Sequence, residues 1–235
     1  MNEAEIGSFI QTASTWVLPV LLAITFHEAS HGFVAWRLGD DTAYRLGRVT
    51  FNPFRHIDPF GTLLLPGLLI LFGGPPFGYA KPVPVNFGRL RHPRRDSALV
   101  AAAGPGSNIV LALLSAVALH AIAWLPEVAQ QWAAATLINS IILNVVLAIF
   151  NMLPLLPLDG GRVLATLLPR QLAIPFMRTE RFGMLVLLAL IFVIPMIGNQ
   201  FGANINILGW LLHTPYEYVV GKILAFTGAD TLLTN

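Results

Sequence analysis

Apolar positions along this chain fall in long unbroken blocks. They show neither the one-sided stripe of a surface helix nor the alternation of a half-buried strand. Thr12–Trp36 is interrupted only by His27, Glu28 and His31. Ala98–Leu125, Trp132 to about Leu155, and Phe182–Gly198 contain no Asp, Glu, Lys or Arg. Each falls near or above the roughly 17–25 residues a helix needs to cross a bilayer core. A fifth block, Ile205–Leu224, is weaker because it includes Glu217 and Lys222. Phe60–Phe72 is apolar too, but its 13 residues are too few to cross as a helix, and it reads as a re-entrant or interfacial element. Around it, Thr42–Arg95 is rich in Pro and Gly, which argues against helix. Tyr44–Phe51 and Tyr79–Phe87 are expected as short strands, the prolines confining the second to an edge. The expected fold is an all-α polytopic membrane bundle of about five transmembrane helices, with four to six as the range. A short re-entrant or β-hairpin region lies between the first two core helices.

Composition agrees. Of 235 residues, 55% are hydrophobic and 11% charged, with a mean hydropathy of +0.69. Soluble domains carry about 25% charged residues, so this chain has too little polar surface to cover a globule of its size. Its length suits one domain, residues 1–235, with a core over 12–169 and C-terminal membrane helices over 182–224. The pI near 9.3 accompanies a net charge of only +2, so nucleic acid is not an expected partner. The basic residues report topology instead. Thirteen of the 14 fall in 37–55, 81–95 and 162–181, and Lys222 is the other. The opposing connections, Met1–Gln11, Pro126–Gln131 and Asn199–Asn204, have none. By the positive-inside rule the N-terminus is outside and the Arg-rich stretches are cytoplasmic. Met1–Gln11 lacks the basic flank of a cleavable signal, so the first block is expected to be retained. With no cysteine, disulfides, thiolate ligands and cysteine nucleophiles are excluded.

Ionisable groups inside an apolar span are costly and default to a functional reading. His27-Glu28-Ala29-Ser30-His31 places two imidazoles at i and i+4, on one helix face, able to share a metal. Glu28 stands beside them, suited to take a proton from water rather than to ligate. Zinc in such a site polarises a carbonyl and acidifies water, the equipment of amide hydrolysis. A third ligand is needed. His56, His92, His120 and His213 are available, but Asp159 is the better candidate. It is the only acid between Glu127 and Glu180, just after Pro154 and Pro157 break the third block. A turn or N-cap role is its alternative. Asn151 either lines the same cavity or bonds a neighbouring helix, and Asn108 likewise either reaches the site or joins helices. His56 and Asp58 read as a local turn, and Arg162 either pairs with a carboxylate or marks the inner face.

Together, His27–His31, Ala103-Gly104-Pro105-Gly106-Ser107-Asn108 and Asn151–Gly161, in that order, resemble the intramembrane site-2 protease family of zinc metalloproteases. Leu46–Pro53 and His56–Pro59 resemble its small prokaryotic members, and the likeness runs to about Pro169. The resemblance implies one zinc per chain, held by His27, His31 and Asp159, with Glu28 as catalytic base. It implies substrate contact through Asn151, with Asn108 a further candidate. It implies an endopeptidase cutting in or near transmembrane segments of membrane proteins, within the lipid bilayer, toward the cytoplasmic side. The family's membrane-associated hairpin would fall within Tyr44–Asn86. The short connection Pro126–Gln131 leaves no room there for an inserted regulatory domain, so control is expected from a bundle helix, a homo-oligomer or an accessory protein. Metal transport and non-catalytic binding of membrane helices are the alternative functions, since intramembrane His and carboxylates also line ion paths.

Overall fold

The computed structural model describes residues 3–64, 68, 78 and 80–233. The helices over the apolar blocks are α1 (Glu3–Arg37), α3 (Pro93–Ala118), α4 (Glu127–Asn151), α7 (Glu180–Leu188), which opens the fourth block, and α9 (Ile207–Thr227). Shorter ones are α2 (Thr42–Arg45), α5 (Asp159–Leu167), α6 (Arg170–Arg178), α8 (Ile194–Gln200) and α10 (Asp230–Leu233). A wide helical turn over Ala189–Val193 joins α7 to α8, so Glu180–Gln200 is continuous. Four segments are long and apolar enough to cross a membrane: Gly7–Arg37, Pro93–Trp124, Glu127–Asn151 and Glu180–Gln200. The 21 residues of α9 have the length, but carry Glu217 and Lys222, as the sequence indicated.

Helices α1, α3 and α4 pack against one another, α5 lies on α3, and α9 lies on α4 and α3. Small side chains let them approach. Ala112 and Ala116 of α3 are fully buried against Ile141 and Val145 of α4, with Ile223 of α9 closing the cluster. That is the packing expected where lipid offers no hydrophobic drive and close backbone contact must supply the attraction. The outward faces are greasy: Leu114, Leu185 and Trp210 are about 60% exposed or more, as suits surfaces bathed in hydrocarbon.

The connection from α1 to α3 departs from the expected hairpin. Among the described residues there is no β-strand. Tyr44–Phe51 instead contains the end of α2, a turn at Gly47 (φ +63°) and a bend. Asp40 contributes to this: its buried carboxylate accepts from the Thr42 N–H at 3.1 Å, an Asx-type turn that orders the start of α2 where a strand was expected. Residues 80–86 belong to no helix and form no strand ladder, and Tyr79 lies outside the described residues. Of the expected re-entrant element, Pro59–Leu64 form one wide helical turn. Asp58 starts it by accepting from the Phe60 and Gly61 N–H groups. Residues 65–67 and 69–72 lie outside the described residues.

Candidate metal centre

His27 and His31 sit one turn apart on α1, with their Nε2 atoms 3.1 Å apart. Asp159 opens α5 and brings Oδ2 to 3.3 Å from His27 Nε2 and 3.4 Å from His31 Nε2. Leu158 rather than Asp159 is the N-cap residue of α5, and it makes no side-chain cap. The protons on the rings are located by their other partners. His31 Nδ1 lies 2.7 Å from the Val100 carbonyl oxygen, which can only accept, so Nδ1 carries the hydrogen and Nε2 the lone pair. His27 Nδ1 donates in the same way to Asn108 Oδ1, at 2.7 Å. Two imidazole lone pairs thus converge on Asp159 Oδ2, a buried oxygen with no hydrogen-bond partner. Three acceptors so placed call for a cation among them. Tetrahedral zinc, with bonds of about 2.0–2.2 Å to N and O, separates its ligand atoms by about 3.3–3.5 Å, close to the edges seen here. Two His and one carboxylate also leave the fourth position open, as catalytic zinc requires. Among the described residues this is the one such cluster.

Local sequence builds the triangle. Gly104 is where α3 meets the two rings: a Cβ there would overlap His31 Nε2 and fall 2.7 Å from His27 Cε1. The α4 helix ends at Asn151, and Pro154 and Pro157 turn the chain back so that α5 begins against that loop. Gly160 and Gly161 make this contact possible. A Cβ on Gly161 would lie 2.6 Å from Leu155 C and Leu156 N, and one on Gly160 would overlap Met152 O. The Asp-Gly-Gly sequence therefore delivers a carboxylate to the histidines.

His27, Glu28, His31, Asn151, Asp159 and Arg162 line one cavity of about 480 Å³. Its far wall is the segment Ala80–Phe87. Val83 N–H donates to Glu28 Oε2 at 2.7 Å. Pro82 and Pro84 have no N–H, so Val83 is the isolated donor between them. This strap is pinned along its length. Arg48 Nη2 donates to Lys81 O at 2.6 Å, Lys81 N–H donates to His56 O at 3.0 Å, and Asn86 N–H donates to Asp40 Oδ2 at 2.6 Å. Asp40, Arg48 and His56 are all buried. Sequence reading missed Asp40, Arg48 and Val83. It placed His56 correctly as locally bonded: its Nε2 meets Thr50 O at 2.9 Å.

The other candidates lie elsewhere. His120 bonds Thr227 O, His213 pairs with Glu217, and His92 is exposed beside Asp96. Arg162 pairs with Glu180 at 2.6 Å and lies over the Phe87 ring. Asn151 donates one amide hydrogen to Leu147 O and faces the cavity. Asn108 is fully buried, touches His27 and does not line that cavity.

A zinc-type ligand set inside a bundle of apolar helices defines a membrane metalloprotease in outline, and comparison with known proteins supplies the family. Residues 120–194 match the model of peptidase family M50. A Bacillus subtilis protein named "Putative zinc metalloprotease YwhC" is 40% identical over 192 residues, covering 77% of this chain and 80% of the relative. Two proteins named "Putative zinc metalloprotease Rip2" are also similar. That of Mycolicibacterium smegmatis is 30% identical over 79% of this chain and 68% of its own length. That of Mycobacterium tuberculosis H37Rv is 31% identical over 83% and 71%. No solved structure matches. The chain belongs to peptidase family M50, the site-2 protease family. It is a multi-pass membrane protein and a zinc-dependent intramembrane protease, and transport is not favoured.

Proposed function

We propose that His27, His31 and Asp159 hold one zinc ion per chain and that Glu28 is the general base of peptide hydrolysis. The carrying observation is the triangle of three lone-pair atoms at 3.1–3.4 Å in a cavity shared with Glu28. Zinc bound there supplies a Lewis acid that polarises the scissile carbonyl and acidifies water. The protein does the rest. Val83 N–H holds Glu28 by Oε2, leaving Oε1 to take a proton from water and return it to the departing amide nitrogen. Asn151, on the cavity wall, pairs with backbone groups freed when a substrate helix unwinds. Asn108 does not touch substrate and instead orients His27.

The three Arg-rich stretches define the cytoplasmic end, and the N-terminus is outside. His31 is six residues from Arg37, about 9 Å along the helix, so cleavage falls toward the cytoplasmic side of a substrate's transmembrane segment. The whole chain, 1–235, acts as one domain, with a core over 12–169. Control lies with a homo-oligomer or an accessory protein, because Glu127 opens α4 only two residues after Leu125.

The experiment is paired. Wild type and Glu28→Gln are purified in detergent, assayed for zinc and incubated with single-pass membrane helices. Zinc near one per chain in both, with cleavage only by wild type, is expected. Cleavage by Glu28→Gln at the wild-type rate would remove Glu28 from its role. Zinc bound equally by Asp159→Ala would remove the ligand assignment.

A further inference from the structure

Two main-chain carbonyls fix a chain of amides that ends on His27. Asn144, in the middle of α4, is fully buried. Its Nδ2 donates to Ser140 O at 2.9 Å, an oxygen that can only accept. Its Oδ1 therefore faces Asn108 and accepts from Asn108 Nδ2 at 2.8 Å. The second hydrogen of that Nδ2 goes to Ala23 O on α1, at 3.2 Å. Asn108 is thereby left with Oδ1 toward His27, where it accepts from Nδ1. His31 needs no such relay, since Val100 O meets its Nδ1 directly.

From this we infer that Asn144 is a positioning residue for the metal centre. Together with Ala23 O it selects the orientation of the Asn108 amide, hence the ring tautomer of His27 that presents a lone pair on Nε2. The inference rests on His27 being a ligand. Without Asn144, one hydrogen of Asn108 loses its acceptor in a dry interior, and rotation of the amide becomes a competing arrangement. The rotated amide presents Nδ2 to His27 Nδ1 and favours the tautomer with the proton on Nε2, which offers no lone pair toward the site. Groups that orient metal ligands in this way are typically worth about 10–100-fold in metal affinity.

The test uses the full chain in detergent with zinc itself as probe. Asn144→Ser is the informative variant. Serine can bond back to the i−4 carbonyl as Asn144 does, but is too short to reach Asn108. The expected result is zinc affinity about 10–100-fold weaker in competition with a chelator. In zinc-free protein, imidazole 15N shifts should report both tautomers of His27, against one in wild type. Asn144→Asp keeps an acceptor toward Asn108 whether ionised or protonated, and should restore affinity and the single tautomer. Thr136→Val, also buried on α4 but bonded only to Trp132 O, should leave both unchanged. A folded Asn144→Ser protein with wild-type affinity and one His27 tautomer overturns the inference. So does an equal loss of zinc in Thr136→Val, which would mean that α4 has merely loosened. If Asn144→Ser does not fold, Asn144→Thr makes the same back-bond and is read the same way. His27→Ala separates the two levels: retention of zinc there sinks the ligand assignment itself. Loss of zinc there with normal binding in Asn144→Ser sinks only the role of Asn144.

Discussion

Gly104 has little freedom to change at the site. A methyl group there would overlap His31 Nε2 and crowd His27 Cε1, so Gly104→Ala must push either α3 or both rings aside. Zinc binding should weaken by about tenfold or more, the scale seen when a ligand's support is disturbed, and zinc content after dialysis against a mild chelator would register it. Glu28→Gln makes the opposite prediction. It keeps the shape and an oxygen that can face Val83 N–H, so zinc should stay bound while peptide cleavage falls by about 10²–10⁴-fold, the usual contribution of a general base. The two variants together distinguish holding the metal from using it. Much at this scale was legible. His27 and His31 share a face because of a spacing that any helix enforces, and Asp159 was marked by the prolines that interrupt an otherwise uncharged block. Asn144 and Val83 were not legible. Asn144 meets Asn108 across 36 positions and looks like one more polar residue in a helix. Val83 acts through its main-chain N–H, which no side-chain letter announces.

The strap over 81–86 shows how an irregular element can be fixed as firmly as a strand. Its prolines prevent a ladder on one register, and buried side chains from the α1–α3 connection replace the missing neighbours. Arg48 spans 33 positions to the Lys81 carbonyl, a pairing that no local pattern foretells, and this is why a strand was expected over Tyr79–Phe87 where residues 80–86 instead form an irregular strap. Helix ends carried a similar lesson: the third block was expected to run to about Leu155, but α4 stops at Asn151. Pro154 disfavours helical geometry in the residue before it, and its ring cannot follow a helical turn. If the strap holds Glu28 in place, Arg48→Ala should slow cleavage while zinc content stays at the wild-type level. The loss of a charged hydrogen bond made by a buried side chain should also destabilise the protein by about 1.5–3 kcal/mol. A thermal melt in detergent and a zinc assay read the two effects separately. An unchanged cleavage rate in a measurably destabilised Arg48→Ala protein would confine Arg48 to stability.

At the scale of the whole molecule, the bundle sets one further constraint, on direction. Arg37 at the end of α1, Arg89, Arg91, Arg94 and Arg95 ahead of and within the start of α3, and Arg162, Arg170, Arg178 and Arg181 between α4 and the body of α7 flank the ends of helices that the chain traverses in alternating sense. The turn at Pro126, between the end of α3's extension and α4, carries no basic residue. Translocating any of the Arg clusters would carry several charges across hydrocarbon, at a cost of about 2.5–3.5 kcal/mol for each residue at the bilayer centre. This charge pattern supports the proposed orientation, with the N-terminus outside. The chain has no cysteine, so single introduced cysteines report it without background. Gln131→Cys, near the turn at Pro126, should react with a membrane-impermeant maleimide added to intact cells. Arg91→Cys should react only after the membrane is opened. Both positions are exposed, so accessibility is set by the side of the membrane rather than by burial. The reverse pattern would put the metal centre toward the outer face and move the expected cleavage site to the opposite end of the substrate helix. Labelling at both positions in intact cells would show that the Arg clusters do not fix the topology, and would remove the argument that assigns cleavage to either side.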